Sequence, residues 1–340
     1  MNRKLKTPGS SHGLVLGKFY PPHLGHQYLI EFAYRYVDQL TIVVEEMPRE
    51  TLPVALRASW LTSLFPKAEI LQLKDQNPQD PSETPEFWAI WESSLKRIIS
   101  EPLDYVFASE AYGNPLAKCL DAEFIPVDPN RERYPTSGTQ IRQNPYKHWQ
   151  YLSLPVKQYY QKRICVCGPE STGKSTLSQW LTEQLNQKQP SSAQLTSEYA
   201  RTYLESRNTA LEHSDIERIA LGQNVSEQCH DTSPSPFHII DTGVKASQVW
   251  GEFLFNKTSN MLVKLCQETN YDLYLLCHPD IPWVKDGIRY LPKESHQFYN
   301  RLKEVLSKEK SSTVIEVFGQ GQARQKLALD ACLDVIDNAI

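Results

Sequence analysis

From Gly13 onward, short apolar runs alternate with amphipathic stretches, the rhythm that a parallel sheet with crossover helices requires. Strands are expected over 14–16, 40–44, 69–73, 105–108 and 124–127, with helices over 27–36, 54–64, 85–99 and 115–120 between them. Across 143–162 the chain turns to Asn, Pro, Tyr, Gln and Lys, and Pro145 and Pro155 interrupt any long helix. A domain boundary is therefore expected near residue 160. Beyond it the alternation restarts, with strands over 164–167, 195–197, 237–240, 271–277 and 314–318. The matching helices are expected over 173–186, 199–205, 213–228, 246–268, 293–306 and 322–340. The expected fold class is α/β, with two doubly wound domains over 12–160 and 161–340.

Length agrees with that division, since 340 residues exceed one domain of about 150. Apolar residues make up 40%, and 36 basic against 40 acidic side chains leave a net charge of −4, the profile of a soluble globular protein rather than one that coats a polyanion. No stretch of about 18 apolar residues spans a bilayer. The first residues have a basic flank without the apolar segment of a secretory signal. A cytoplasmic protein with no membrane partner is expected, and a homo-oligomer is compatible with the sequence. The seven cysteines are scattered without a Cys-x-x-Cys pair, so they are expected to be buried thiols rather than a disulfide framework or zinc site.

The sharpest local signal is Gly168-Pro169-Glu170-Ser171-Thr172-Gly173-Lys174-Ser175, which fits G-x-x-x-x-G-K-[ST] between an apolar strand and an amphipathic helix. Its glycines let successive backbone N–H groups face phosphate oxygens, while the helix N-terminus adds partial positive charge. Lys174 reaches the β/γ-phosphates, Ser175 offers its hydroxyl to Mg²⁺, and Thr176 continues the ATP-binding segment. A strand ending in Asp241 supplies the metal-side carboxylate such a site needs, although an acid capping a turn also explains it. Glu198 and Arg201 follow another strand and should emerge at the carboxyl edge of the sheet, with Glu198 placed to accept from a substrate hydroxyl. Arg289, in a Pro- and Gly-containing loop, is the candidate γ-phosphate clamp of a lid.

In the first domain, Gly17-Lys18-Phe19-Tyr20-Pro21-Pro22-His23-Leu24-Gly25-His26 joins the first strand to the first helix. The chemistry suits adenylyl transfer, in which negative charge builds on the α-phosphoryl oxygens as pyrophosphate leaves and preorganised donors stabilise it. His23, His26 and Lys18 are such donors, and Gly25 lets the nucleotide approach the helix backbone. After the fifth strand, Ser137-Gly138-Thr139-Gln140-Ile141-Arg142 offers hydroxyls and amides to cap a helix, with Arg142 placed to hold the β/γ-phosphates.

The first of these segments resembles the G-x-F-x-P-x-H-x-G-H signature of the nucleotidylyltransferase superfamily. The second resembles its I-S-x-T-x-I-R counterpart, with Thr136 in place of the leading Ile. An adenylyltransferase half followed by a P-loop kinase half resembles the bifunctional NadR-type family, nicotinamide mononucleotide (NMN) adenylyltransferases fused to ribosylnicotinamide kinases. Further matches run through 108–113, 127–131, 198–201, 241–242 and 282–289. The resemblance implies a Rossmann-like nucleotidylyltransferase domain and a P-loop kinase-like domain. It implies ATP, NMN, ribosylnicotinamide and NAD as ligands, and Mg²⁺ in both reactions. Lys18, His23, His26 and Arg142 would handle the triphosphate; Gly17, Phe19, Gly25, Ser137 and Thr139 would complete that ATP site. Trp88 and Trp91 offer aromatic faces to a cationic nicotinamide ring, although their i, i+3 spacing serves a helix core as well. Arg57 would hold the mononucleotide phosphate, with a solvent-facing helical arginine as the alternative. In the second domain Gly168, Glu170, Ser171, Thr172, Gly173, Ser175, Thr176 and Arg289 would bind ATP, and Glu198 and Arg201 ribosylnicotinamide. Some family members begin with a helix-turn-helix repressor domain; only about a dozen residues precede the first strand here, so nucleic-acid binding is not expected.

One departure stands out. Related kinases carry Asp-Thr-Asp after the Walker-B strand and a lysine before the next Trp, where this chain has Asp241-Thr242-Gly243 and Gln248-Val249-Trp250. One carboxylate is missing, which keeps open a degenerate kinase half acting as a nucleotide sensor; separately, because the two N-terminal signatures are shared across their superfamily, a nucleotidylyltransferase for another phosphate ester is the other alternative.

Overall fold

The computed structural model describes residues 11–207, 209–282 and 293–337. The chain separates into two compact units, Met1–Tyr159 and Tyr160–Ile340. Among the described residues no helix is long and apolar enough to cross a membrane.

The first unit runs β1 (His12–Gly17), α1 (Leu24–Tyr36), β2 (Gln39–Glu45), α2 (Val54–Leu64), β3 (Glu69–Leu73), α3 (Phe87–Ile98), β4 (Tyr105–Ala108), α4 (Gly113–Cys119), β5 (Glu123–Pro126) and α5 (Gly138–Gln143). A 3₁₀ turn at Trp149–Tyr151 and α6 (Leu154–Tyr160) follow. The sheet is parallel, in the order β3-β2-β1-β4-β5. Both faces of the central strands are covered, which is why they read as unbroken apolar runs. Val15, Ile42, Val44 and Phe107 pack with Leu29, Ile30, Ala33, Ala58 and Leu61 of α1 and α2. On the opposite face Leu14, Leu16, Val43 and Val106 meet Trp91, Leu95 and Leu116 of α3 and α4.

The second unit runs β6 (Lys162–Cys167), α7 (Lys174–Lys188), β7 (Ala193–Thr196), α8 (Tyr199–Glu205), α9 (His213–Gln228), β8 (Phe237–Asp241), α10 (Val244–Phe255), α11 (Asn260–Glu268), β9 (Leu273–Cys277), α12 (Ser295–Leu306), β10 (Thr313–Val317) and α13 (Gly321–Asp337). Its parallel sheet has the order β10-β9-β6-β8-β7. Two parallel five-stranded sheets with crossover helices are the α/β class expected from the sequence.

Two local expectations need correction. The single helix expected over 246–268 is two, because Asn256 adopts the left-handed region (φ 50°) as the C-cap of α10 and Ser259 caps α11 by accepting from Leu262 N. The chain turns tightly there, and a side chain on Gly251 would place Cβ 2.8 Å from the Lys257 carbonyl. No long helix crosses 143–162, as Pro145 and Pro155 led one to expect; Pro155 lies in the first turn of the short α6, where its missing N–H costs nothing. Finally, Cys165, Cys167, Cys266, Cys277 and Cys332 are buried, but Cys119 is half-buried and Cys229 exposed.

Candidate functional site

The carboxyl ends of β1 and β4 meet where the strand order of the first sheet reverses, the place where doubly wound sheets hold ligands. A cleft of about 700 Å³ opens there, with Gly17, Lys18, Phe19, His23, Gly25 and His26 on one wall. Phe19 is buried and sets its ring edge-on to His26 at 5.2 Å. His23 caps α1: its Nδ1 accepts from Gly25 N at 3.1 Å, and His26 Nδ1 in turn accepts from His23 N at 3.4 Å. With both Nδ1 atoms accepting, each neutral ring carries its proton on Nε2 and has that N–H to donate. Burial, assisted by the Arg131 charge, lowers His23 to about 4. Burial followed by His23 and Arg131 holds His26 well below the usual range. Both rings are therefore neutral donors at pH 7.

A triphosphate beside those rings favours the imidazolium and raises both values. Ring-nitrogen NMR should place the His23 midpoint near 4 without nucleotide and move it upward when ATP is added; a midpoint of about 6.5 would mean that the ring is solvated and the cap absent.

The same cleft is lined by Ser137, Gly138, Thr139 and Arg142, a segment packed against the loop at Tyr20. Ser137 caps α5, accepting from Gln140 N at 3.3 Å. Arg142 donates to Tyr20 O and to the Thr139 hydroxyl, and lies 4.3 Å from the Tyr20 ring centroid. All three partners are neutral, so the guanidinium keeps its charge for a ligand. Trp88 and Trp91 line the same cleft; Trp91 also contributes to the core and donates from Nε1 to Pro78 O at 3.0 Å.

Arg57 departs from expectation. It is fully buried on α2 and outside the cleft lining, and its guanidinium donates to Leu52 O, Lys18 O, Glu45 O and the Glu50 carboxylate. With its donors committed to the protein, Arg57 braces the main chain of the cleft residues and does not present itself to a mononucleotide phosphate. Sequence reasoning missed Glu45 and Gln79 in the cleft lining, and it gave no role to Glu110, Asp128, Arg131 and Thr136, which lie in segments it had matched to the family. Glu45 carried a legible signal, since it ends a strand at the carboxyl edge as Asp241 does.

In the second unit a cleft of about 310 Å³ is lined by Glu170, Ser171, Gly173, Lys174, Ser175 and Thr176 at the start of α7, with Glu198 and Arg201 from α8 and its cap. Gly168 and Thr172 shape the loop without lining the cleft. At Gly168 (φ 144°) a Cβ would stand 2.7 Å from Cys277 O, and the buried Thr172 hydroxyl donates to Pro169 O at 2.8 Å. Lys174 Nζ also donates to Pro169 O at 2.8 Å. Arg324 of α13, with no local motif to betray it, donates from Nη2 to Thr172 O at 2.6 Å and holds the loop from outside.

Asp241 is buried and accepts from the Ser175 hydroxyl. Burial raises its pKa, while Lys174 and the Ser175 bond pull it back. Glu198 is raised chiefly by burial, opposed by Lys174 and reinforced by Asp241. Lys174, Ser175, Glu198, Arg201 and Asp241 are thus brought together. A hydroxyl and a carboxylate in contact are hard oxygen donors that suit Mg²⁺. The rest of the wall includes the apolar Leu204, Leu211, Ile216, Ile219 and Trp250 together with the polar Gln223, Thr242 and Ser247. Arg289 lies outside the described residues.

Residues 163–324 match a family model described as an AAA domain. Over 312 residues the chain is 30% identical to the trifunctional NAD biosynthesis/regulator protein NadR of Escherichia coli (strain K12), covering 86% of this chain and 76% of that protein. The Salmonella typhimurium (strain LT2) protein of the same name matches to the same extent, 30% over 312 residues. Among solved structures, a NadR protein in complex with NR superimposes with a TM-score of 0.70 at 23% identity, covering 98% of each chain. A NadR protein in complex with NAD and AMP-PNP gives 0.68 at 24% identity, again over 98% of each chain.

Proposed function

The chain belongs to the NadR family of NAD biosynthesis proteins, and from that premise we propose that its first cleft joins NMN to the AMP of ATP while its second phosphorylates ribosylnicotinamide. The observation that carries the first half is the pair of imidazoles pinned by backbone amides as Nε2–H donors, lining with Lys18 and Arg142 one cleft of about 700 Å³. An NMN phosphate oxygen attacks the α-phosphorus of ATP, a new P–O bond forms, the bond to the β-phosphate oxygen breaks and pyrophosphate departs. His23 and His26 donate to phosphate oxygens as charge builds in this transition state, and Lys18 and Arg142 hold the departing pyrophosphate. The nicotinamide cation lies against Trp88 and Trp91.

In the second cleft the ribose primary hydroxyl attacks the γ-phosphorus of ATP, a new P–O bond forms as the bond to the β-phosphate oxygen breaks and ADP departs, and the hydroxyl proton passes to Glu198. Burial raises the pKa of that carboxyl, as suits a base. Lys174 exchanges the Pro169 carbonyl for phosphate oxygens, and the nicotinamide ring meets the apolar wall at Trp250. Ser175 and Asp241 would hold Mg²⁺, which supplies neutralisation of phosphate charge. The ligands named for the related crystal structures, NR in one and NAD with AMP-PNP in the other, support both halves.

Incubating the protein with ATP, Mg²⁺ and either NMN or ribosylnicotinamide, with products identified by mass spectrometry, tests both sites. NAD should form from NMN and ADP from ribosylnicotinamide. Lys174→Ala should abolish ADP release by at least about 100-fold and leave NAD formation from NMN unchanged. A second reading, the nucleotide sensor, is favoured by Gly243; ATP binding to the second unit without ADP release would decide for it.

A further inference from the structure

Glu45 closes β2 at the carboxyl edge of the first sheet, is 4% exposed, and lines the cleft together with Gln79, Trp88 and Trp91. Its position is fixed from two sides. Arg57 Nη1 donates to the Glu45 carbonyl at 3.0 Å, and Gln79 Nε2 donates to the Glu45 side-chain Oε1. The second Nε2 hydrogen of Gln79 goes to Asn77 O at 3.0 Å. Both amide hydrogens are thereby committed, so the polar atom Gln79 has left for a ligand is its acceptor, Oε1. The same short loop is bound to the aromatic helix: Trp91 Nε1 donates to Pro78 O at 3.0 Å, and Ser94 Oγ donates to Asn77 Oδ1 at 3.0 Å. A carboxylate and a carbonyl oxygen therefore stand on the frame that also holds the tryptophans, and both accept hydrogen bonds.

We infer that Glu45 and Gln79 are the residues that read the carboxamide of the pyridine nucleotide, accepting its N–H groups and rejecting a ring carboxylate. This rests on the adenylyltransferase reading of the first cleft. A carboxamide NH₂ brings two hydrogens to two acceptors, and the cationic ring gains from the Glu45 charge. A nicotinate ring meets the same pair with no hydrogen to give and with a like charge opposite Glu45, leaving its own oxygens without partners. Burial raises the Glu45 pKa while Gln79, Lys18 and Arg57 draw it back down, so the group is held by cations as well as by its amide clamp.

The test measures kcat/KM for NMN and for nicotinic acid mononucleotide at saturating ATP, together with their equilibrium binding without ATP by tryptophan fluorescence. The parent should favour the amide by at least about 100-fold. Glu45→Gln, isosteric and able to donate, should cut that ratio by about tenfold or more, in binding as well as turnover, mainly by improving the acid. Gln79→Lys, at an exposed loop position, should do the same by neutralising Glu45. A parent that uses both mononucleotides equally, or variants that leave the ratio unaltered while turnover persists, would overturn the inference. No dinucleotide from either acceptor would overturn the adenylyltransferase reading beneath it.

Discussion

His26→Ala will lower NAD formation from NMN and ATP by about 10²–10³-fold, the effect of deleting one preorganised donor to a developing oxyanion, or about 3–4 kcal/mol. The expected loss lies in kcat more than in KM, because the Nε2–H donates most strongly when charge peaks on the α-phosphoryl group. Part of the damage is structural: His26 Nδ1 accepts from His23 N in the capping box of α1, and losing a cap costs about 1 kcal/mol. His26→Asn, which keeps a short acceptor, separates the two contributions by restoring the fold without the donor in its place. ADP release from ribosylnicotinamide should be unchanged in both variants. Steady-state assays of the two products decide the matter; unimpaired NAD formation by His26→Ala would refute the role given to this ring.

The second large effect concerns Gly243. Gly243→Asp will not rebuild a second metal carboxylate; it will destabilise the second unit by about 3–5 kcal/mol, the range for an uncompensated buried charge. The backbone does not demand glycine there, since φ is −80° and ψ 170°. Space does: an added Cβ would stand 2.7 Å from the Tyr271 hydroxyl and 2.8 Å from Cys165 Sγ. The Tyr271 hydroxyl donates to the Glu227 carboxylate at 3.0 and 3.1 Å, and Glu227 pairs with Arg163. A new carboxylate would enter this buried cluster beside one already there. Thermal unfolding should show the second unit melting roughly 6–20 °C lower, with Gly243→Ala losing less and kinase turnover rising in neither. A stable Gly243→Asp protein with faster ADP release would show that Tyr271 yields the space.

These two residues mark how far the sequence could be read. The P-loop and the His-x-Gly-His segment were legible because their chemistry is local: consecutive residues wrap one phosphate, and a helix cap needs neighbours three positions apart. The strands were legible because burial on both faces leaves apolar runs such as 40–44. Contacts between distant positions left no comparable trace. Nothing in the spacing of α2 separates a buried Arg57 bonded to Lys18 O from an arginine in solvent. The missing acid at Gly243 was visible, but not that Tyr271, twenty-eight positions later, fills its volume. Asn256 ended a helix that hydropathy alone would have continued, since a left-handed C-cap is a backbone event.

The bond from Arg324 to Thr172 O spans 152 positions of chain. A ribosome adding about 5–20 residues each second takes on the order of 10–30 s to bridge that interval. Throughout it the growing polypeptide already displays the glycine-rich turn but lacks the guanidinium that steadies it. ATP, which supports a fold only by binding its finished form, thus comes to the aid of this half late in biogenesis. Until α13 arrives, nucleotide has no finished turn to bind and so lends the nascent second unit no stability.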